Sequence, residues 1–360
     1  MKKICFVAQF PPPIHGLSKA IETLYDSDLN SYFVLEKINI TKNQKFLVNM
    51  LKILTSTSDL YYLTISQSRG GNLRDLIILK LIKIKHRKCL IHLHGGYYRQ
   101  LVDNDMASWQ KKANYKVIKK LAGAIVLSDS LKRNFQGMIA DEKIHVVMNC
   151  VDDEYLLSDA EVLKKLETLE TKKIIHIMWL SNFIRSKGYL EVLEMARLEK
   201  ERVIAGGKIR FHFDFAGKFF EDTEKQLFKN YVTKNKLEGF IKYHGIVDGQ
   251  EKKELLKLCD IFILPTRYPN EGQPISILEA LGNAMFIVTT DHAGIPDIVK
   301  DGMNGIIIDK ELSINKTYEK LVSIDNNTFS KICSRNREYC KQQFSQQKYI
   351  DHMKEIFSNE

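Results

Sequence analysis

The sequence lacks nearly every feature that would take it out of the ordinary globular class. Seven prolines and 19 glycines in 360 residues are too few for a collagenous or low-complexity chain, and aromatic residues reach 10%, which disordered chains avoid. No apolar run is long enough for a membrane span. The greasiest stretch, from Leu76 to Ile84, is interrupted by Lys80 and Lys83, and a span needs about 20 mostly apolar residues. The opening, Lys2-Lys3 followed by Ile4 to Ala8, imitates a secretory leader. Gln9 and Pro11-Pro12-Pro13 end it short of the roughly 7–15 apolar residues a leader requires, so it reads as a buried first strand of a cytoplasmic chain. The six cysteines are scattered without a C-x-x-C pair, which argues against a disulfide framework or zinc site and leaves reduced packing residues. There is no Walker loop, no G-x-S-x-G elbow and no G-x-G-x-x-G fingerprint. Asp26-Ser27-Asp28 has a spacing that can hold a divalent cation, but it lies away from any strand end and reads as surface, so no metal or cofactor is expected.

What is present is charge, unevenly placed. The formal net charge is +10. Residues 1–157 hold 23 Lys+Arg against 14 Asp+Glu, a net +9, and residues 158–360 hold 31 against 30. The excess is densest at Lys80, Lys83, Lys85, Arg87 and Lys88 and again at Lys111, Lys112, Lys116, Lys119 and Lys120. Such a face suits an anionic partner: a lipid leaflet, a nucleic acid or a phosphorylated substrate. A nucleic-acid surface needs cations interleaved with exposed aromatics, and residues 76–88 contain no aromatic. That argues against nucleic acid and leaves the leaflet, the phosphorylated substrate and a solvated face that only aids solubility open.

Short apolar, β-rich runs alternate with longer helix-period segments. The expected strands are 4–8, 32–38, 60–65, 89–93, 124–127 and 144–147, then 174–180, 209–216, 240–243, 261–264, 286–289 and 305–308. Apolar strands separated by helices indicate parallel sheets covered on both faces. The expected fold is α/β: two doubly wound Rossmann-like domains facing across a cleft, at 1–157 and 173–340. A linker at 158–172 joins them, and a C-terminal helix at 341–360 crosses back towards the first domain.

Ligands of open α/β sheets bind beyond the carboxyl ends of strands, and four such loops carry chemistry. The first holds His15 and Gly16, where a glycine lets backbone N–H groups approach a phosphate at a helix start. The second holds His94 before Gly95-Gly96 at the end of a strand; His92, two residues earlier, reads as core. The third, Ser181 to Gly188, offers Arg185 and Lys187 to a diphosphate through charge-assisted hydrogen bonds. The fourth runs from Glu271 through Gly272, Gln273 and Pro274 into a helix that carries Glu279 about one and a half turns on. The free N–H groups of Ile275 and Ser276 would face an anion between the two carboxylates. Ile275, Ile277, Leu278, Ala280 and Leu281 make that helix largely buried, so Glu279 needs a partner.

This ordered set resembles glycosyltransferase family 4, retaining enzymes of the GT-B fold. Glu271 and Glu279 resemble its paired glutamates. Residues 293–299 and 301–305 resemble the segment that follows them, Asn149-Cys150-Val151-Asp152 resembles the end of its first domain, and Phe215 to Lys218 and Tyr243 to Gly245 resemble two strand ends of its nucleotide site. The resemblance implies that Glu271 holds the donor sugar, Glu279 the ribose hydroxyls, and Lys187 with the N–H groups from Gln273 to Ser276 the departing diphosphate. It places Gly217, Lys218, Gly245 and Ile246 around the nucleotide, Gly16 near the phosphates and acceptor, His94 at the transferred sugar, and His15 and Asn149 in the acceptor cleft. Fixed cations and helix dipoles then replace a metal ion. Two departures stand out. Ser181 and Asn182 occupy the places of a family arginine, for which Arg185 is the candidate substitute, and Gly272-Gln273-Pro274 replaces Gly-Phe-Gly, so that Gln273 could donate an amide hydrogen bond to a sugar hydroxyl. The expected activity is transfer of a hexose from a nucleotide sugar, UDP-linked, to a lipid-diphosphate-linked oligosaccharide in capsule, exopolysaccharide or O-antigen assembly, on the inner membrane face. A soluble acceptor is the alternative.

Overall fold

Strands that are apolar on both faces are stable in a sheet only when helices cover both faces, and each series of runs is arranged that way. The computed structural model describes residues 1–12, 16–308 and 313–360. The first series forms β1 (Lys3–Ala8), β2 (Val34–Asn39), β3 (Leu60–Thr64), β4 (Lys88–Leu93), β5 (Gly123–Val126) and β6 (Ile144–Val146). They build one sheet in the order β2-β1-β3-β4-β5-β6, and every pair is parallel. The second series forms β7 (Ile175–Leu180), β8 (Phe211–Ala216), β9 (Ile241–Tyr243), β10 (Ile261–Leu264), β11 (Phe286–Thr290) and β12 (Gly305–Ile308), a parallel sheet in the order β12-β11-β10-β7-β8-β9. All twelve lie on the expected runs, with no end moved by more than two residues.

The chain divides into two compact units, one of residues 1–150, 269–273 and 346–360, the other of 151–268 and 274–345. In the first unit the strand order reverses between β1 and β3; in the second it reverses between β7 and β10. Each reversal splays apart the loops that follow the two central strands and opens a crevice at their carboxyl ends.

One face of the first sheet packs on the helices Phe46–Thr55, Arg69–Ile84 and Ser108–Ile118 through Met50, Ile53, Ile78, Ile82 and Ile118. The other face packs on Gly16–Tyr25 and on the last helix, Gln346–Asn359, whose Phe357 ring sits 5.8 Å from Phe6 and 5.6 Å from Tyr62. The helical tail is broken at Phe344–Ser345, so that Asn326–Gln343 belongs to the second unit and Gln346–Asn359 to the first.

The segment 158–172, expected as a linker, is a helix of the second unit, Asp159–Thr171, started by a capping box between Ser158 and Glu161. It buries Val162, Lys165 and Leu169. The Lys165 amino group donates to the carbonyls of Leu256 and Asn283, both at 2.8 Å. A lysine inside the inward stripe, among many charges, hides the helical periodicity that an apolar count looks for. All six cysteines are buried and free.

Candidate functional site

At the crevice of the second unit, the loop after β7 and the loop after β10 touch. Gly188, at φ +81°, starts the helix Tyr189–Ile204, and a Cβ there would lie 2.5 Å from the Pro265 carbonyl oxygen. Only glycine satisfies both the left-handed backbone and the close approach. Arg267 N–H donates to the Ser186 carbonyl at 2.7 Å, and the Trp179 indole donates to the Lys187 carbonyl at 3.2 Å. The backbone on both sides of Lys187 is thus fixed, and its ammonium stands 4.6 Å from the centre of the Tyr268 ring. Tyr268 is a partner that sequence reasoning missed, because 81 positions of unrelated sequence separate the two residues. Arg185 is placed differently from the expectation. Its guanidinium is 66% exposed and paired with Glu224 at 2.8 Å, a carboxylate that also accepts from Tyr189 at 2.5 Å. Arg185 therefore clamps the loop to the helix Asp222–Lys234.

The helix Ile275–Gly282 leaves β10's loop with Pro274 at its N-cap, one residue earlier than the expected first helical position. Ile277 N–H bonds back to the Pro274 carbonyl, and the N–H groups of Ile275 and Ser276, both half-buried, lie in the first turn, where a helix has no partner for them. Glu279 is 4% exposed and meets the Lys252 ammonium at 2.6 Å. Burial pushes its carboxyl above the usual range, and the lysine pulls it down. Lys252 also lies 3.8 Å from the Tyr155 ring centre, and the Tyr155 hydroxyl donates to Asp248 at 2.5 Å. The sequence carried the need for a partner at Glu279 but not its identity, since Lys252 and Tyr155 come from distant elements.

The loops after β8 and β9 complete this end of the sheet. Gly217, at φ +140°, donates to the Gly245 carbonyl at 2.7 Å, and a Cβ on it would fall 1.7 Å from the Ser181 carbonyl oxygen. Rings hold the loops together: Phe183 stacks on Phe219 at 3.8 Å and meets Tyr243 at 5.5 Å. Lys218 and Ile246 are exposed beside them. Deeper in the sheet, Asp214 gathers three imidazoles: His176 at 2.7 Å, His212 at 3.3 Å and His244 at 2.7 Å. Burial pushes its carboxyl up, but the three histidine hydrogen bonds prevail and hold it far below the usual range. The ligating atoms of His176, His212 and Asp214 lie within 4.8 Å of one another, the one such set among the described residues. No spacing in the sequence announces it. His176 and His212 are the second residues of β7 and β8, roughly 13 Å of strand from the carboxyl-end loops at ~3.3 Å per residue, while Asp214 reaches His244 just after β9.

In the first unit the segment 269–273 is seated on the loops after β3 and β4. Gln67 donates to the Asn270 carbonyl at 3.3 Å and accepts from Tyr97 N–H at 2.7 Å. A Cβ on Gly272 would lie 2.6 Å from the His94 carbonyl oxygen, and one on Gly95 the same distance from the Asn270 carbonyl oxygen. Glu271 is held in this seat at 7% exposure. The Gln273 side chain is bonded within the protein: its Oε1 accepts from Asn149 N–H at 2.6 Å and its Nε2 donates to the Leu127 carbonyl at 3.4 Å. Its side-chain amide ties the segment to the main chain at Asn149 and Leu127. Asn149 is buried, its side chain donating to the Gln273 carbonyl at 3.0 Å. The His94 ring lies 3.9 Å from that of His92, which is buried and bonded to the Tyr62 hydroxyl at 2.6 Å. Gly16 is exposed at the first position of its helix, and His15 lies outside the described residues.

Comparison with known proteins bears on family and fold. A family model described as Glycosyl transferases group 1 matches residues 159–343. A glycosyltransferase of Methanocaldococcus jannaschii, described as uncharacterized, is 25% identical over 288 residues, covering 77% of this chain and 68% of the relative. The amylovoran biosynthesis glycosyltransferase AmsK of Erwinia amylovora is 24% identical over 168 residues, 44% of this chain and 39% of AmsK. Among solved structures, Alr3699/HepE of Anabaena in complex with UDP superposes with a TM-score of 0.75 at 16% identity, covering 99% of this chain and 100% of that one. That likeness establishes the two-sheet GT-B architecture.

Proposed function

The chain belongs to the glycosyl transferases group 1 family, and we propose that it moves a hexose from a UDP-linked sugar, with retention of configuration, to a hydroxyl of a lipid-diphosphate-linked oligosaccharide. The setting would be assembly of a surface polysaccharide on the inner face of the membrane, with the basic first unit against the anionic leaflet. The observation that carries this reading is the second unit's crevice, where Lys187 and the start of Ile275–Gly282 flank the carboxyl ends of β7 and β10. A cation on a rigid loop and outward N–H groups at a helix start form a place for a diphosphate. The UDP bound by HepE and the amylovoran pathway in the name of AmsK support the donor and the setting.

In this reading Glu279 orients the ribose hydroxyls, and Gly217, Lys218, Gly245 and Ile246 surround the base. Glu271 hydrogen-bonds the donor sugar, His94 faces the sugar being transferred, and Gly16 approaches the phosphates. Lys187 and the N–H groups of Ile275 and Ser276 stabilise the charge that grows on the diphosphate as the bond to the sugar's anomeric carbon breaks, the part a metal ion plays elsewhere. The acceptor oxygen bonds to that carbon on the same face, through an oxocarbenium-like ion pair, and its proton leaves with the diphosphate. Replacing Glu271 tests the assignment. Glu271→Gln should lower transfer by roughly 100-fold or more, with the melting temperature unchanged to within a few degrees; near-normal turnover would reject it.

A further inference from the structure

The helices covering one side of the first sheet show side chains that a solvated surface does not explain. Phe46–Thr55 buries Asn49, Met50 and Ile53 and turns Leu47, Leu51 and Leu54 outward, at 79%, 61% and 46% exposure. Those three are spaced i, i+4, i+7, one stripe of a helix. The neighbouring helix Arg69–Ile84 repeats the pattern with Leu73, Ile77 and Ile84 exposed and Lys80 in line with them. Ser108–Ile118 adds Trp109 at 60% exposure. All three helices pack inward on one core, so their outward stripes share one face of the unit. The face is also fastened: the Lys85 ammonium donates to the carbonyls of Ile53 and Leu54 at 2.8 and 2.7 Å, tying one helix end to the other.

The charge of these helices is mostly positive. Residues 40–58 hold three lysines and no acid, 76–88 hold five basic residues and no acid, and 108–120 hold five lysines and no acid. Four acids fall between these stretches: Asp75 is buried and paired with Arg74 at 2.8 Å, Asp59 pairs with Arg87 at 3.6 Å, Asp103 pairs with Arg99 and Lys111 at 2.7 and 3.0 Å, and Asp105 accepts from the Tyr97 hydroxyl at 2.8 Å. Lys42, Lys45, Lys80 and Lys83 are among the cations next to the outward leucines. Lysines interleaved with outward leucines fit a lipid surface better than a protein partner. Protein interfaces are depleted of lysine at their centres, whereas at a bilayer the lysine stem lies along apolar surface and its ammonium reaches the headgroups.

We propose that this three-helix face docks on an anionic phospholipid bilayer, with the stripes of Leu47, Leu51, Leu54 and Ile77 entering the headgroup boundary and the surrounding lysines pairing with lipid phosphates. The proposal names the contact surface of the membrane partner put forward above and rests on that reading. It requires binding with two separable components: one apolar and insensitive to salt, one ionic and screened by it.

The experiment is flotation of the full chain with vesicles of phosphatidylglycerol and phosphatidylcholine, set against phosphatidylcholine alone. The expected result is binding to the anionic vesicles only, with a blue shift of Trp109 emission; Trp179 is fully buried and reports no change. Lys80→Gln/Lys83→Gln should weaken binding by roughly 30-fold at low salt, about fivefold per lysine. Leu47→Ser/Leu51→Ser/Ile77→Ser should weaken it at least tenfold at every salt concentration and leave UDP-induced stabilisation intact. All five side chains are exposed, and an unchanged far-ultraviolet circular dichroism spectrum verifies folding. Equal binding by the leucine variant and the parent would overturn the proposal. So would equal binding to neutral vesicles, or a change of oligomeric state in the leucine variant without a change in flotation, which would assign the face to a second copy. Failure of UDP to stabilise the parent chain would count against the transferase reading and leave the docking surface standing.

Discussion

The two units solve one problem with different materials. Both are six-stranded parallel sheets whose strand order reverses once, so both open a crevice at the carboxyl ends of two central strands. In the second unit the crevice is furnished with charged side chains, each answered by another side chain: Glu279 by Lys252, Lys187 by Tyr268, Arg185 by Glu224. In the first unit the loops after β4, β5 and β6 are held by backbone: glycines at 95 and 272 pressed on carbonyls, and the side-chain amide of Gln273 bonded to the main chain at Asn149 and Leu127. A site that must grip an anion needs charge, and buried charge needs partners. A site that seats a segment from elsewhere in the chain needs close approach, which backbone and glycine supply.

The contrast is sharpest at Lys252. Lys252→Met leaves the Glu279 carboxylate buried without its cation, and loss of one member of such a pair costs about 3–5 kcal/mol. Burial already raises the Glu279 carboxyl above its ordinary 4.5, with Lys252 opposing. With the lysine gone it rises further, so the stability it contributes is full below pH 4.5 and lost as pH rises through the folded value. Urea unfolding of the variant should therefore show a smaller deficit at pH 5 than at pH 7.5. A deficit independent of pH would mean that the pair is not coupled as described.

In the first unit the comparable change is Gln273→Leu, which orphans the buried N–H of Asn149 and costs about 1–3 kcal/mol, with no pH dependence. Equal pH profiles for the parent and this variant, beside unequal ones for Lys252→Met, would separate the backbone-held unit from the charge-held one. The first unit also contains titrating groups, and the most deeply buried of its described histidines is His92. Burial holds His92 well below its ordinary 6.5, so the folded protein keeps it neutral while the unfolded chain takes up a proton. Its contribution is full above pH 6.5 and lost as pH falls below it, by up to about 1.4 kcal/mol per pH unit. His92→Asn should flatten the acid limb of the stability curve by one proton. The smallest effect belongs to Arg185→Ala: an exposed pair contributes little, and transfer rate and melting temperature should stay near the parent's. A large loss of transfer would return Arg185 to the chemistry.

Much of the architecture was legible because periodicity is local. The twelve apolar runs fixed twelve strands, and Pro274 before Ile275 marked a helix start to within one residue. The helix Asp159–Thr171 was not legible, since Lys165 breaks its apolar stripe and is satisfied only by carbonyls far away in sequence. Gln273 reads as a polar loop residue and Arg185 as a second diphosphate cation until the Asn149 and Glu224 contacts are seen. The three histidines on Asp214 come from three separate segments, His176 and His212 facing each other in register on β7 and β8 and His244 just after β9, and share no motif.

Composition and order of residues alone settled that this is a two-sheet α/β chain with a basic first half, because strand pattern and net charge are sums over neighbours in sequence. Tertiary structure decided which acid meets which base, which main-chain groups the Gln273 amide binds, and which leucines face outward. Those depend on distances between residues tens to hundreds of positions apart, and no local pattern encodes them.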